Sequence, residues 1–169
     1  MMRCYPAKWT FHLPPRHGAG REASRDNCSF RRSLSISSTP REVWMIWQRD
    51  HMVRRVYMTD THSTNVKPQS FGESIGHYEG SDTLVIDTIG LSIKNNYIDD
   101  FRTPHSAKEH VVERYTVSSD GKRLTAAVTV DDLDSFNEPL HMIQTWHKVA
   151  NPLRETVCAE NNNDSMYFH

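Results

Sequence analysis

The sequence predicts a mainly β domain, either an antiparallel β-barrel of the calycin or lipocalin type or a β-sandwich, with a poorly structured N-terminal extension. Short runs rich in aromatic and β-branched residues recur between residues 43 and 149, turn-forming residues separate several of them, and there is no long amphipathic helical pattern. Closure of the sheet would also protect its edge strands from pairing with other chains. A length of 169 residues indicates one domain.

The first 40 residues differ from the rest of the chain in charge and pattern. Residues 1–32 carry a net charge of +5 and the remaining residues carry −6, for a total of −1. The first block has no periodic apolar pattern, so it cannot bury enough apolar surface to offset its ordering entropy. We expect three segments: an extended or disordered basic arm over residues 1–40, an antiparallel β domain over 41–163 and a C-terminal tail over 164–169.

Seven strands are predicted within the β domain. They are Val43–Gln48, Val53–Met58, Ser74–Glu79, Thr83–Ile89, His110–Ser118, Arg123–Asp131 and Leu140–Val149. Residues 80–82 connect the third and fourth strands as a hairpin, and the Asp-Gly pair at 120–121 is a strong hairpin signal between the fifth and sixth. Residues 59–73 and 90–109 are long connections, and such loops on a rigid sheet often carry functional side chains.

Alternation along the strands places two carboxylates in apolar rows. Glu113 stands in the apolar row of the fifth strand, Asp87 stands in that of the fourth, and Asp132 follows the apolar row of the sixth in phase. A buried carboxylate must be paired or hydrogen-bonded. Glu113 and Asp87 are therefore either members of buried ion pairs, with Arg55 or Arg114 as partners, or acids and bases of a pocket.

These residues define a candidate site for acid–base chemistry. Glu113, His105 and Asp87 are the candidate catalytic residues, because carboxylates with shifted pKa values and an imidazole that titrates near neutral pH can transfer protons. Arg114 would hold an anionic group of the ligand. The complete set of candidate substrate-binding residues is Arg114, Arg55, Tyr78, Tyr115 and Trp146.

One stretch of the chain resembles a family motif. Residues 74–88 read S-I-G-H-Y-E-G-S-D-T-L-V-I-D-T. They are similar to H-S-x-G-x-W-E-G-D-T-L-V-V-D-T in a family of uncharacterised, often secreted bacterial proteins. Pro104-His105-Ser106 and the run His110–Tyr115 are similar to that family's P-H-S…H-V-x-E-R-F. Residues 131–132, 139 and 157–161 resemble its D-D-P, K-P-W and V-C-x-E-N elements.

The resemblance covers about residues 42–163 and has three departures. Glu73 stands where the family has His, Tyr78 replaces Trp, and Ser81 is an insertion in the hairpin. The resemblance implies a β-rich fold, candidate positions within the motifs and a secreted or periplasmic location. It implies no particular reaction, and the sequence shows no clear signal peptide.

Several classes of function lack support in the sequence. There is no G-x-G-x-x-G and no P-loop, so no nucleotide cofactor is expected. Because parity places His110 and Glu113 on opposite faces of one strand, we expect no metal site there. The acidic body argues against a nucleic-acid partner. No apolar run approaches the roughly 18 residues of a spanning helix, so no membrane span is expected.

Three functions remain open. The first is a cofactor-independent small-molecule enzyme, a lyase, isomerase or hydrolase that works by side-chain acid–base chemistry in a β-barrel pocket. The second is a non-catalytic binding protein for an apolar small molecule, and the third is a structural or assembly module. The expected partner is a small-molecule ligand, and a homodimer is possible.

Overall fold

The architecture is all-β in the part of the chain that the structure describes. A computed structural model describes the backbone of residues 8–12 and the residues 33–48, 52–94, 97–98 and 102–150. The nine strands are β1 Lys8–His12, β2 Ser33–Ser38, β3 Glu42–Trp47, β4 Val53–Tyr57, β5 Glu73–Glu79, β6 Thr83–Ile89, β7 His110–Val117, β8 Arg123–Asp131 and β9 Leu140–Lys148. All seven predicted strands are present, and the mainly β prediction is confirmed. Within the described ranges, no helix has the length and hydropathy to cross a membrane.

The strands follow one another around the sheet in chain order. Strands β2 to β9 form one mixed sheet that curves as half a barrel. Strand β1 pairs with β2 over its full length, and it reaches β9 through Phe11↔Lys148 and His12↔His147. The two edges of the sheet are thereby joined into a ring of strands.

The expectation of a wholly antiparallel sheet is wrong at one pair. Strands β4 and β5 run parallel, through Val56↔Ser74 and Tyr57↔Ile75. A parallel pair requires a connection of about a dozen residues or more, which returns the chain to the starting end of the sheet. Residues 58–72 form that crossover, and the last of them lie at the end of the barrel where β5 begins.

The sheet begins before the predicted boundary at residue 41. Strand β2, S-L-S-I-S-S, pairs with β3 and buries Leu34 completely. Leu34 and Ile36 alternate with serines, which is the period of a strand with one buried face. The expected arm over residues 1–40 therefore contains two strands, while residues 1–7, 13–32 and the predicted tail lie outside the described residues.

The core confirms the assignment of faces from strand parity. On β8, Leu124, Ala126 and Val130 are buried, and Asp132 just beyond the strand is buried with them. On β7, Glu113 and Tyr115 are buried and face the same interior. The interior thus contains carboxylates as well as apolar side chains.

Gly72, just before β5, permits a close approach that no other residue type would. Its φ is +59°, and an added Cβ would overlap the carbonyl oxygen of Ile89 and touch the Thr88 side chain. We expect Gly72→Ala to lower the free energy of unfolding by about 2 kcal/mol, because the cost of a left-handed backbone and the cost of the steric clash add up. Urea denaturation measures this loss.

Gly121→Ala is the matched control for this prediction. Gly121 has a similar φ of +67°, but its added Cβ meets nothing within 4 Å. It should lose about 1 kcal/mol, the cost of the backbone conformation alone. Equal losses in the two variants would show that Gly72 is not packed against β6 as described.

Candidate functional site

A cavity of about 230 Å³ lies at the end of the barrel where β6 ends and β7 begins. Its wall is built from inward-facing residues of five strands. These residues are Arg54 of β4, Thr88 of β6, Val111 and Glu113 of β7, Val128 of β8 and Met142 of β9. These residues lie nearer to this end of the sheet than the apolar core does. Each is at least two residues along its strand from a core residue of that strand, as Thr88 is from Ile86 and Glu113 is from Tyr115.

Both long connections contribute to the cavity. Residues 58–72 contribute Ser70 and Phe71, and the β6–β7 connection contributes Leu91, His105 and Glu109. The cavity therefore has strand residues on its wall and loop residues around them. Two of the three candidate catalytic residues, Glu113 and His105, line this one cavity.

Glu113 forms a buried ion pair with Arg54. Arg54 Nη1 lies 2.5 Å from Glu113 Oε2, and each side chain is only 10% exposed. The hydroxyl of Tyr115 donates a hydrogen bond of 2.9 Å to the other carboxylate oxygen. Burial, and then the negative charge of Glu113, raise the pKa of Tyr115 well above its usual range, so this hydroxyl remains a donor. The partner of Glu113 is Arg54, not Arg55 or Arg114 as the sequence suggested.

Each nitrogen of the Arg54 guanidinium group contacts a neighbouring side chain. Its Nε donates to Ser74 Oγ at 3.0 Å and its Nη2 donates to Thr88 Oγ1 at 2.6 Å. These contacts extend from β4 to β5, β6 and β7, so one guanidinium group fixes four strands at the cavity wall. All three guanidinium nitrogens are engaged, and the positive charge is neutralised by Glu113.

His105 and Glu109 form a second buried pair in the cavity wall. His105 Nδ1 lies 2.7 Å from Glu109 Oε2, and the side chains are 1% and 5% exposed. The same nitrogen lies 3.0 Å from the carbonyl oxygen of Ser106. A carbonyl oxygen only accepts hydrogen bonds, so we assign the proton of neutral His105 to Nδ1.

This tautomer leaves Nε2 of His105 as an unprotonated nitrogen. Nε2 is buried and has no hydrogen-bond partner among the described residues. An unsatisfied buried polar atom is costly in a folded protein and often marks a place where a ligand or water binds. The arrangement of a carboxylate, Nδ1–H and a free Nε2 is suited to proton abstraction.

The environment of Glu109 shifts its protonation. Burial raises the pKa of Glu109 above its usual range, and the charge of Asp132 acts in the same direction. Attraction to His105 opposes both effects. A carboxylate with a raised pKa beside an imidazole is a common feature of acid–base sites.

Asp132 positions the loop that carries His105. Its two carboxylate oxygens accept hydrogen bonds of 2.6 Å from the amide and the hydroxyl of Ser106. Burial acts to raise the pKa of Asp132, but the donors from Ser106 outweigh it and lower the pKa below its usual range. Because the carbonyl oxygen of Ser106 in turn accepts a hydrogen bond from Nδ1–H of His105, Asp132 orients the imidazole through one residue.

Asp87 is not part of this cavity. It lies on the opposite face of β6, where its Oδ1 is 2.9 Å from Nε2 of both His62 and His110. Nδ1 of His62 also contacts Glu73 at 3.2 Å. The three predicted catalytic residues are therefore not brought together, and Asp87 instead links the 58–72 crossover to β6 and β7.

Glu73 ties the crossover to the start of β5. Its carboxylate accepts hydrogen bonds from the hydroxyl and the amide of Ser63, and these donors lower the pKa of Glu73, against the opposing effect of burial. A group whose pKa is lower in the folded state stabilises the fold above its unfolded pKa, and this contribution is lost as the pH falls through the folded pKa.

We therefore expect Glu73→Gln to destabilise the protein by about 1–2 kcal/mol at neutral pH and by less below about pH 4. Glu138 is exposed and makes no such contacts with the residues that the structure describes, so Glu138→Gln should be nearly neutral throughout. Thermal unfolding at several pH values measures both. A destabilisation by Glu73→Gln that does not shrink in acid would contradict the proposed hydrogen bonds.

Three of the candidate substrate-binding residues face away from the cavity. Arg114 pairs with Glu79 on the outer face of the sheet. Arg55 lies over the rings of Trp44 and Tyr57 and contacts Glu42 at 3.4 Å. Tyr78 is 54% exposed. The structure does not bring these side chains to Glu113 or His105.

The other two candidate substrate-binding residues belong to the core. Tyr115 and Trp146 are buried, and their rings are stacked with centroids 6.2 Å apart. Neither lines the cavity, although Tyr115 supports it through its hydrogen bond to Glu113.

The sequence reasoning missed Arg54 and Glu109, and both are central to the cavity. Arg54 shares the inner face of β4 with the buried Val56, but Val53 and Val56 have opposite parity, so the sequence does not indicate which arginine faces inward. Glu109 is four residues from His105 in an irregular loop, where no periodicity indicates which side chain turns inward. The structure has no group of three or more His, Cys, Asp or Glu arranged to hold a metal ion within its described residues.

Comparison of the chain with models of known families gives no match, and neither do searches of curated proteins and of solved structures. The resemblance at residues 74–88 and 104–115 therefore stays a prediction.

Proposed function

We propose that the protein is a cofactor-independent enzyme that transfers a proton to or from a small molecule, with His105 as the general base. The observation that carries this proposal is the buried His105–Glu109 pair in the wall of a cavity, in which Nε2 of His105 has no partner among the described residues. Lyase, isomerase and hydrolase reactions can each use such a proton transfer.

Each member of the pair has a distinct role. Nε2 of His105 takes a proton from the substrate or from water, and the ring becomes an imidazolium. Glu109 and the Ser106 carbonyl hold Nδ1–H, so the ring keeps its orientation, and the carboxylate stabilises the positive charge that develops. Glu113, predicted as a catalytic carboxylate, is here assigned with Arg54 to holding the cavity wall in shape.

The wall of the cavity favours an enzyme over the two alternatives. A carrier for an apolar ligand needs a wall of apolar atoms, and a structural module needs no cavity at all. The side chains of Arg54, His105, Glu109 and Glu113 all line this cavity, and each of them can carry a charge. Burying them is costly unless they are used or paired, and His105 Nε2 is not paired within the described residues.

The same proposal includes a likeness to calycin or lipocalin barrels. A ring of strands with a ligand site at one end is the arrangement that such barrels use. The parallel β4–β5 pair and its crossover are a departure from their up-and-down topology.

A ligand screen followed by a turnover assay tests the proposal. Thermal shift of the full chain, run with and without a chelator, identifies ligands, and NMR of each ligand over time shows whether it is converted. We expect conversion by the wild type and a loss of about a hundredfold or more in His105→Gln, since general acid–base groups contribute about 10²–10⁴-fold. Glutamine retains an N–H donor but has no basic nitrogen.

His77→Gln is the control, because His77 is 60% exposed on the outside of the sheet. Its turnover should match that of the wild type. A ligand that stabilises the protein but is never converted would favour a carrier instead. Conversion that survives in His105→Gln would exclude His105 as the base.

A further inference from the structure

We infer that the cavity takes a small, uncharged, mostly apolar molecule that presents one N–H or O–H group to Nε2 of His105. This inference rests on the proposed function and specifies its substrate class. It also replaces the expectation that an arginine would hold an anionic group.

With His105 neutral, as its Nδ1 contacts assign it, the described wall of the cavity offers no free cation to an anionic ligand. Arg54 is the one arginine or lysine in that wall, and its three nitrogens contact Glu113, Ser74 and Thr88. Two carboxylates, Glu109 and Glu113, line the same space. The wall is thus negative when both are ionised and neutral when Glu109 is protonated, and neither state compensates the desolvation of an anion.

Those carboxylates are also committed to partners. The oxygens of Glu113 face Arg54 and the Tyr115 hydroxyl, and Glu109 faces Nδ1 of His105. A cationic ligand would therefore have to share these oxygens with Arg54, the Tyr115 hydroxyl or His105. An uncharged ligand has no such requirement.

The remaining wall is largely apolar. It includes Phe71, Leu91, Val111, Val128 and Met142. An apolar cavity of about 150 Å³ is known to accept benzene, so a cavity of about 230 Å³ is large enough for a benzene ring with one small substituent. That substituent must be a donor, because Nε2 of the assigned tautomer only accepts.

Three probes of the same size and shape separate the ligand classes: benzamide, benzoate and benzamidine. Benzamide is neutral and donates N–H, benzoate is an anion with no proton to donate, and benzamidine is a cation. We expect benzamide to bind with a Kd at least tenfold lower than that of benzoate, as measured by NMR titration of the full chain. The ring signals of His105, assigned by comparison with His105→Gln, should shift as benzamide binds.

Benzoate binding as tightly as benzamide, or benzamidine binding more tightly, would overturn the inferred ligand class. So would the absence of any shift of the His105 signals with all three probes. The proposed function fails by a different result, namely turnover of a screened ligand that does not depend on His105, so the two failures are distinguishable.

Discussion

Arg54→Met should lower the free energy of unfolding by about 3–5 kcal/mol, the largest loss that we expect from a single substitution here. The change leaves the Glu113 carboxylate buried without its counter-charge, and an uncompensated buried charge is the most costly consequence of breaking an ion pair. Ser74 and Thr88 are less affected, because their hydroxyls also lie 3.0 Å from each other. Equilibrium denaturation in urea measures the loss.

Two variants make this prediction specific. Arg54→Met/Glu113→Gln should be more stable than Arg54→Met alone, since no charge remains and glutamine can still accept the Tyr115 hydroxyl. Arg55→Met removes the neighbouring arginine, whose side chain is 46% exposed, and should cost about 1 kcal/mol or less. A double variant no more stable than the single would show that the buried charge is not the cause.

Asp132→Ala should destabilise the protein by about 2–4 kcal/mol and also reduce turnover. It removes the acceptor of two short hydrogen bonds from Ser106, each made to a charged group. The loop is then free to move the Ser106 carbonyl away from His105 Nδ1, so the imidazole loses its fixed tautomer. Urea denaturation gives the stability, and the turnover assay gives the second effect.

Asp134→Ala is the matched control in the same loop. Asp134 pairs with Lys108 at the surface, where the lysine side chain is 78% exposed. Such a pair contributes about 0–1 kcal/mol, and this variant should retain full turnover. Equal losses in the Asp132 and Asp134 variants would mean that Asp132 does not act through Ser106.

Much of the sheet was predictable because its strands are either strongly patterned or bounded by turns. The Asp120-Gly121 hairpin and the apolar row of β8 both occur as expected, with Gly121 at a φ of +67°. Strand β2 was missed because serines alternate with only two large apolar residues. The parallel pairing of β5 with β4 depends on the path of the crossover, which local sequence patterns do not determine.

The candidate site was predictable only in part. Parity correctly placed Glu113 and Asp132 inside, since each continues an apolar row. Parity could not decide which of two adjacent arginines faces inward. The flanking valines, Val53 and Val56, point to opposite faces of β4, so each arginine shares a face with one of them. The inward turn of His105 and Glu109 depends on the contact of Ser106 with Asp132, 26 residues away.

Two of the contacts between neighbouring strands in the ring, here called seams, contain far fewer residue pairs than the others. Over the described residues, strands β4 and β5 meet through two residue pairs, as do β1 and β9. The chain is thus divided into an N-terminal sheet block, β1–β4, and a C-terminal block, β5–β9, and separating them disrupts fewer backbone hydrogen bonds than splitting either one. Local opening should begin along these seams, where amide hydrogens exchange earliest. Arg54 bridges one seam from the inside, so the same side chain that closes the wall of the cavity also limits how often the two blocks part.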